Sequence, residues 1–318
     1  MNTQTIRLSS PVDLITSLPY QFGFHPKRSV VLVCLYGGRL GLCERLDIPP
    51  LEHVQDAVAA MIGPMLKERP SDVVLLGYED VEDEAAPLLD ALKVAIGWYD
   101  GIELADVLVI RDGRWYSREC ENPTCCPTQG TPLAESVSVA SEFVALGHNP
   151  SNSREDVAAR LEAKAGAITP TIEWVSMPDA KTAWAKLLTT GDLTTQEVQD
   201  AALFLKDIDF RDALIAHMWP GVLAPELISD ETKAIFKDMP QVVTDGAIDR
   251  LIAFCSALSD DSAAPALTIL ANYAWFMGDG GMARLALDRA LRCDPRYRLA
   301  LLLDRMVQLA IRPSSPVA

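Results

Sequence analysis

The segment Ser29 to Tyr36 (SVVLVCLY) runs without a charge and is rich in valine. Such a run reads as a core strand covered on both faces, so the chain around it must supply helices. Upstream, Leu8-Ser-Ser-Pro-Val-Asp-Leu-Ile has the marks of a helix start: a serine cap, a proline in the first turn and an acid near the positive end. The spacing predicts that this helix ends near Pro19. After the strand, Gly37-Gly38 makes a tight turn into a weakly alternating stretch, Arg39 to Ile48, and the pair predicts a hairpin. Pro49-Pro50 stops it. Leu51 to Leu66 has helical spacing through Val54, Ala57, Val58, Met61 and Met65. Val73 to Tyr78 and Leu104 to Ile110 read as further core strands, separated by an amphipathic helix over Ala85 to Trp98. Asp112-Gly113 then turns the chain into a last strand, Arg114-Trp-Tyr-Ser. The predicted order is helix, hairpin, helix, strand, helix, hairpin. It implies an α/β domain over residues 1–135, with a mixed, partly parallel sheet and flanking helices, ending in a cysteine-rich loop.

From Ser151 the strand signals fade. Ser153-Arg-Glu-Asp opens a helix, with Ser153 as cap and acids in the first turn. Further helices are predicted at Asp179–Leu188, Thr195–Leu205, Ile208–Met218, Gly246–Leu258, Ala264–Phe276, Gly281–Leu291 and Arg296–Ala310. An all-α domain over 151–312 is therefore expected, with a frayed tail from Arg312. Within it, Leu267, Leu270 and Ala274 precede Gly278-Asp279, and Ala283, Leu287, Ala290-Leu291 and Asp294-Pro295 follow. This resembles one tetratricopeptide unit, with small residues where two helices press close and Leu267 and Ala274 in place of the usual Trp and Tyr. Such units stack in threes or more to bury their faces, so a lone one reads as a structural hairpin capping the domain, not a peptide groove.

Composition narrows the function classes. At 318 residues the chain suits two domains, and 49% hydrophobic residues can build a core without disulfides. A net charge of −16 excludes a nucleic-acid partner, whose phosphates demand a basic footprint. The acidity reads as the surface of a soluble protein kept apart by like charge, with a basic protein partner as the sharper alternative. The polar N-terminus, MNTQTIRLSS, carries no secretion signal, and the apolar run Val30–Tyr36 is too short to span a bilayer. Seven cysteines, an odd number with four scattered in apolar stretches, fit a reducing cytosol. The expectation is a cytoplasmic protein without a membrane partner.

Several stretches taken together carry a family resemblance. They are Leu8-Ser-Ser-Pro-Val-Asp-Leu, Gly23-Phe24-His25-Pro26, Arg111-Asp-Gly-Arg-Trp-Tyr-Ser with Cys120 and Cys125-Cys126-Pro127, Phe210-Arg-Asp-Ala, and Gly278-Asp-Gly through Asp294-Pro295. In this order, across nearly the whole chain, they resemble the actinobacterial "domain of unknown function 4192" family. The resemblance implies an origin in actinobacteria or their phages, and that the cysteine loop and the Gly-Phe-His-Pro turn are family features. It implies no activity and supplies no catalytic residue.

The cysteine loop is the chief candidate site. Three of the seven cysteines, Cys120, Cys125 and Cys126, fall in a stretch rich in turn residues. Zinc takes four soft or borderline ligands in a tetrahedron. A turn can bring Cys120 and Cys125 to one ion, whereas the adjacent Cys125 and Cys126 are harder to converge because neighbouring side chains diverge. His25 is the nominee for the fourth ligand. Beside this metal reading stand a disulfide formed on oxidation, a nucleophilic or redox thiol, and cysteines that only pack. A nucleophile needs a base within hydrogen-bond reach, which a sequence cannot show. Next to the loop, Arg111, Asp112, Arg114 and Trp115 form a candidate pocket in which an Arg pair would take a carboxylate or phosphate; the plainer reading is surface ion pairing. The acidic run Glu79 to Glu84 follows a predicted strand; it reads as a solvated, helix-capping loop before it reads as a Mg²⁺ site.

No Walker phosphate loop, Gly-x-Gly-x-x-Gly, His-Glu-x-x-His or Gly-x-Ser-x-Gly is present. The leading expectation is a cytoplasmic interaction or accessory protein with a zinc site in the cysteine loop and an unidentified protein partner. The alternative is an enzyme with a Cys/His/Arg site between the N-terminal sheet and that loop.

Overall fold

The computed structural model describes residue 6 and residues 8–134, 136–171 and 175–311. The frayed tail expected from Arg312 lies outside the described residues. The chain divides into two compact units that meet between Arg154 and Glu155.

The first unit opens with α1 (Pro11–Phe22). The Ser10 side chain accepts from the Asp13 amide at 3.2 Å, and the Asp13 carboxylate accepts from the Ser9 amide and hydroxyl, both at 2.8 Å. These bonds satisfy donors that a helix start otherwise leaves open. The helix does not stop near Pro19. Proline removes only one intrahelical bond, to the carbonyl four residues back, and the buried Pro19 ring packs inward. The helix runs on to Gly23, which ends it at φ 75.

A hairpin follows, β1 (Ser29–Tyr36) and β2 (Arg39–Asp47), then α2 (Val54–Glu68), β3 (Asp72–Tyr78), α3 (Ala86–Ile96), and a second hairpin, β4 (Glu103–Arg111) and β5 (Arg114–Ser117). The element order is the predicted one. A two-residue β6 (Thr131–Pro132) and α4 (Val137–Ala145) complete the unit. The six strands form one sheet in the order β2-β1-β3-β4-β5-β6. Only β3 and β4, joined through α3, are parallel; the other neighbours are antiparallel. The sheet is therefore mixed, as expected.

Side chains alternate across β1, and both faces are covered. Val30, Leu32 and Cys34 join a core with Met61, Met65, Leu89 and Leu92 of α2 and α3. Val31 and Val33 join another with Leu14, Ile15 and Leu18 of α1, Tyr78 of β3 and Trp115 of β5. Each fully buried Val or Leu contributes roughly 1.5–3 kcal/mol, which makes this double-faced burial the main source of the unit's stability.

The second unit is helical: α5 (Arg154–Leu161), α6 (Met177–Thr189), α7 (Thr195–Phe204), α8 (Ile208–Met218), α9 (Asp230–Phe236), α10 (Ala247–Ser256), α11 (Asp260–Phe276), α12 (Gly280–Cys293) and α13 (Arg298–Gln308). Trp184 is fully buried and donates its indole N–H to the Ala201 carbonyl at 3.0 Å. α11 and α12 pack closely against each other, and Leu267, Leu270 and Ala274 of the first and Ala283, Leu287 and Ala290 of the second are fully buried. One buried cation ties several helix ends together. The Arg289 guanidinium, on α12, donates to the carbonyls of Leu161, Cys255 (3.3 Å) and Leu258 (3.3 Å), and pairs with Asp260 at 2.9 Å. Leu161 and Cys255 lie in the last turns of α5 and α10, where carbonyls lack helical partners and the dipole favours a positive charge. Among the described residues no helix is long and apolar enough to cross a membrane.

Candidate metal centre

The cysteine loop leaves the sheet at Ser117, the last residue of β5. The Ser117 hydroxyl donates to Asp106 at 2.7 Å and accepts from the amides of Glu119 (3.2 Å) and Cys120 (3.0 Å). Two ion pairs to α3 hold the outgoing strand: Arg118 with Asp90 at 2.9 Å and Lys93 with Glu119 at 2.5 Å. The loop is thus fixed just before its first cysteine.

Asn122-Pro123 then makes a tight turn. The Asn122 carbonyl accepts from the amides of both Cys125 (3.3 Å) and Cys126 (2.9 Å), and its side-chain oxygen accepts from Thr124 at 2.9 Å. The return is equally fixed. Gly130 sits at φ +73 directly against the Tyr116 ring, which a Cβ there would meet at 2.5 Å, so neither its conformation nor its contact admits a side chain. The Arg114 guanidinium donates to the Gly130 carbonyl at 2.9 Å, and Thr131 pairs with Trp115.

Between these anchors the three thiols converge. The sulphurs of Cys120, Cys125 and Cys126 all lie within 4.8 Å of one another, and Cys120 and Cys125 are 3.4 Å apart. Thiolates around a tetrahedral zinc, with Zn–S about 2.3 Å, sit about 3.8 Å apart. The three cysteines are thus placed so that they could hold a metal ion. The divergence expected of adjacent Cys125 and Cys126 does not occur. It belongs to extended chain, where successive side chains point to opposite faces; the turn closed on Asn122 rotates them to one side.

The thiols differ in surroundings. Cys125 is exposed, Cys120 is half-buried, and Cys126 packs against the α1-side core that contains Trp115. Hydrogen bonding from the Asn122 backbone, then from the Cys126 and Cys125 thiols, draws Cys120 below the ordinary thiol range. Burial, with the neighbouring thiols adding, pushes Cys126 up to about 12. Three thiols this close oppose each other's ionisation, and a bound cation is what would let all three ionise.

His25 does not belong to the group. Among the described residues the potential ligands brought together are the three cysteines alone. His25 is exposed, and its amide donates to the Ser151 carbonyl at 3.1 Å where Phe24 bridges to Ser151. Of the residues nominated as a pocket, the two arginines have partners within the protein. Arg111 pairs with Glu79 at 2.9 Å and Glu82 at 2.8 Å and lies over the Tyr116 ring at 5.2 Å. Arg114 holds the loop return, Asp112 turns the hairpin at φ 51, and Trp115 is buried. The Glu79 carboxylate, itself buried, accepts from the amides of Asp83 and Ala85. A concavity of about 370 Å³ lies elsewhere on this unit, lined by Leu66, Arg69, Trp98, Tyr99 and Asp100 among others, and no residue of the cysteine loop lines it.

Sequence reasoning missed the residues that position the thiols, Ser117 and Asn122. Asn-Pro is a turn signal by which Asn122 could have been found; nothing local points to Ser117, whose role depends on Asp106 of the neighbouring strand.

Comparison with curated proteins and with solved structures found no significant match. A scan against protein-family profiles matches residues 11–314 to the family described as "Domain of unknown function (DUF4192)". That span takes in the Gly-Phe-His-Pro turn, the cysteine loop and the Phe210-Arg-Asp-Ala helix, and the chain belongs to the DUF4192 family.

Proposed function

We propose that Cys120, Cys125 and Cys126 bind a zinc ion, and that the protein is a cytoplasmic interaction or accessory protein, not an enzyme. The observation that carries the metal reading is the convergence of three thiol sulphurs within 4.8 Å on a loop anchored at both ends. Three sulphurs favour a soft or borderline ion over Mg²⁺ or Ca²⁺, which take oxygen. The fourth position of the tetrahedron falls to water or to a group brought by a protein partner, since the His25 ring is not in the group.

The accessory reading rests on the engagement of the neighbouring charges. Arg118, Arg114 and Arg111, the cations that lead into the loop, are bound to Asp90, the loop backbone, Glu79 and Glu82, and so are not free for a substrate anion. The net charge of −16 points to a partner with a basic surface. In the second unit we read α11 and α12 as a single tetratricopeptide-like hairpin that caps the helices beneath it.

Elemental analysis of protein purified without chelator, with thiol titration on the same sample, tests the site. About one zinc per chain with the three loop thiols protected is the expected result; no metal and three freely reacting thiols overturn it. Turnover of any substrate that is abolished in Cys126→Ala would overturn the accessory reading.

A further inference from the structure

We infer that Cys120 and Cys125 are a site of reversible oxidation, closing to a disulfide under a hydroperoxide while Cys126 stays out of the bond. The inference rests on the metal reading for its consequence, release of the ion; the bond itself needs only the thiols.

The geometry selects this pair. Their sulphurs are 3.4 Å apart, and a disulfide requires about 2.05 Å, so the pair must close by about 1.4 Å. The residues between them, Glu121 to Thr124, are all exposed, so no core packing opposes that movement. Cys126 is placed differently. A bond to its neighbour Cys125 would close a strained eight-membered ring, and its packing against the Trp115 core holds its sulphur back from the closer approach that a bond to Cys120 needs. Cys125 is the exposed member, so peroxide reaches it first.

The chemistry balances without another reagent. With hydrogen peroxide, the Cys125 thiolate attacks one peroxide oxygen, the O–O bond breaks, and the departing hydroxide takes a proton and leaves as water; an organic hydroperoxide would lose an alcohol instead. Cys125 is then a sulfenic acid. The Cys120 thiolate attacks that sulphur, the S–O bond breaks, and a second water leaves. Two thiols have lost two electrons and the hydroperoxide has gained them. Where zinc is bound, two of its three thiolates are consumed and the ion is released. A thiol reductant reverses the bond.

The test treats the full-length chain, in zinc-loaded and chelator-treated forms, with hydrogen peroxide, blocks residual thiols, and locates cross-links by mass spectrometry. A colorimetric chelator follows zinc release in parallel. The expected result is the loss of two hydrogen atoms per chain, a Cys120–Cys125 link, and reversal by dithiothreitol. Cys126→Ser should keep the link, whereas Cys120→Ser should stop at a sulfenic acid on Cys125 that dimedone traps. A chain that never holds zinc but forms this link supports the oxidation site and removes the metal reading. A chain that holds zinc, yet goes to sulfinic acid without a link or links through Cys126, overturns the oxidation site and leaves the metal reading standing.

Discussion

Arg111 reaches Glu79 at 2.9 Å, and the carboxylate it meets is only 1% exposed. Glu79 directly follows β3 and Arg111 ends β4, so the pair locks the ends of the two parallel strands. Removing Glu79 takes away the buried partner of Arg111 and leaves the Asp83 and Ala85 amides without their acceptor, which together cost about 3–5 kcal/mol. Glu79→Ala should lower the stability of the first unit by that order, read as an earlier urea midpoint. Glu82→Ala, which removes only the exposed second partner of Arg111, should shift it by less than about 1 kcal/mol. Equal shifts for both would refute the distinction.

Asp13 gives the first unit an acid limit. The Ser9 amide, then the Ser136 and Ser9 side chains, hold its carboxyl down at about 2. A depressed carboxylate contributes stability that is full above its unfolded value near 4 and is lost as pH falls toward about 2. Asp13→Asn should therefore cost about 1 kcal/mol at neutral pH, as loss of a helix-start partner does. The gap to the parent should close between pH 4 and 2 in a series of thermal midpoints. A gap that persists at pH 2 would mean that the charge is not what Asp13 supplies.

Glu44 has the opposite sign. On β2 it pairs in register with Leu32 of β1, facing the α2–α3 core, and one of its carboxyl oxygens is buried without a hydrogen bond among the described residues. Burial, with the Glu68 charge adding, raises it to about 8. A raised carboxylate loses stability for the fold as pH climbs from about 4.3 through about 8. Glu44→Gln should be more stable than the parent at pH 8, by on the order of 1–2 kcal/mol, and equal to it at pH 4. Chemical denaturation at the two pH values checks this, and a parent more stable at pH 8 would contradict it.

Arg289 should be the most sensitive position in the second unit. Arg289→Leu fills similar space but leaves the Leu161, Cys255 and Leu258 carbonyls and Asp260 without their cation. Three carbonyls left without a donor, at about 1–3 kcal/mol each, put the expected loss at about 3–5 kcal/mol. The paired variant Arg289→Leu with Asp260→Asn should recover little of it, because the Asp260 side chain is 66% exposed. Calorimetry of the two variants decides: a large recovery would assign the loss to the Asp260 charge instead of the carbonyls.

What could be read from the sequence follows from how local each signal is. The order of elements to β5 was legible because each carries its own mark, the valine-rich run at Val30–Val33, the Gly37-Gly38 and Asp112-Gly113 turns and the Ser10-Pro11 start. Pairing was less so. That β1 lies antiparallel to β3, leaving β3–β4 as the parallel pair, depends on contacts between segments far apart in sequence. α4 was missed for the same reason. Its valines and serines favour extended chain, but Phe143 stacks on Tyr20 of α1 at 4.8 Å and the Ser136 amide bonds to Thr16, so packing decides its form. At the site, the cysteine spacing pointed to the loop in which the three thiols converge. The convergence of Cys125 and Cys126 was hidden, because it hangs on one carbonyl, that of Asn122.

The position of Arg289 also dictates where this chain can be divided. A fragment ending after α11 would keep Asp260 and the ends of α5 and α10 but lose the one group that neutralises and bonds all of them. Expression boundaries for a helical fragment should therefore fall beyond α12, however dispensable the last helices look by length alone. The helices nearest the start of the second unit acquire their finished ends only when synthesis has passed residue 289.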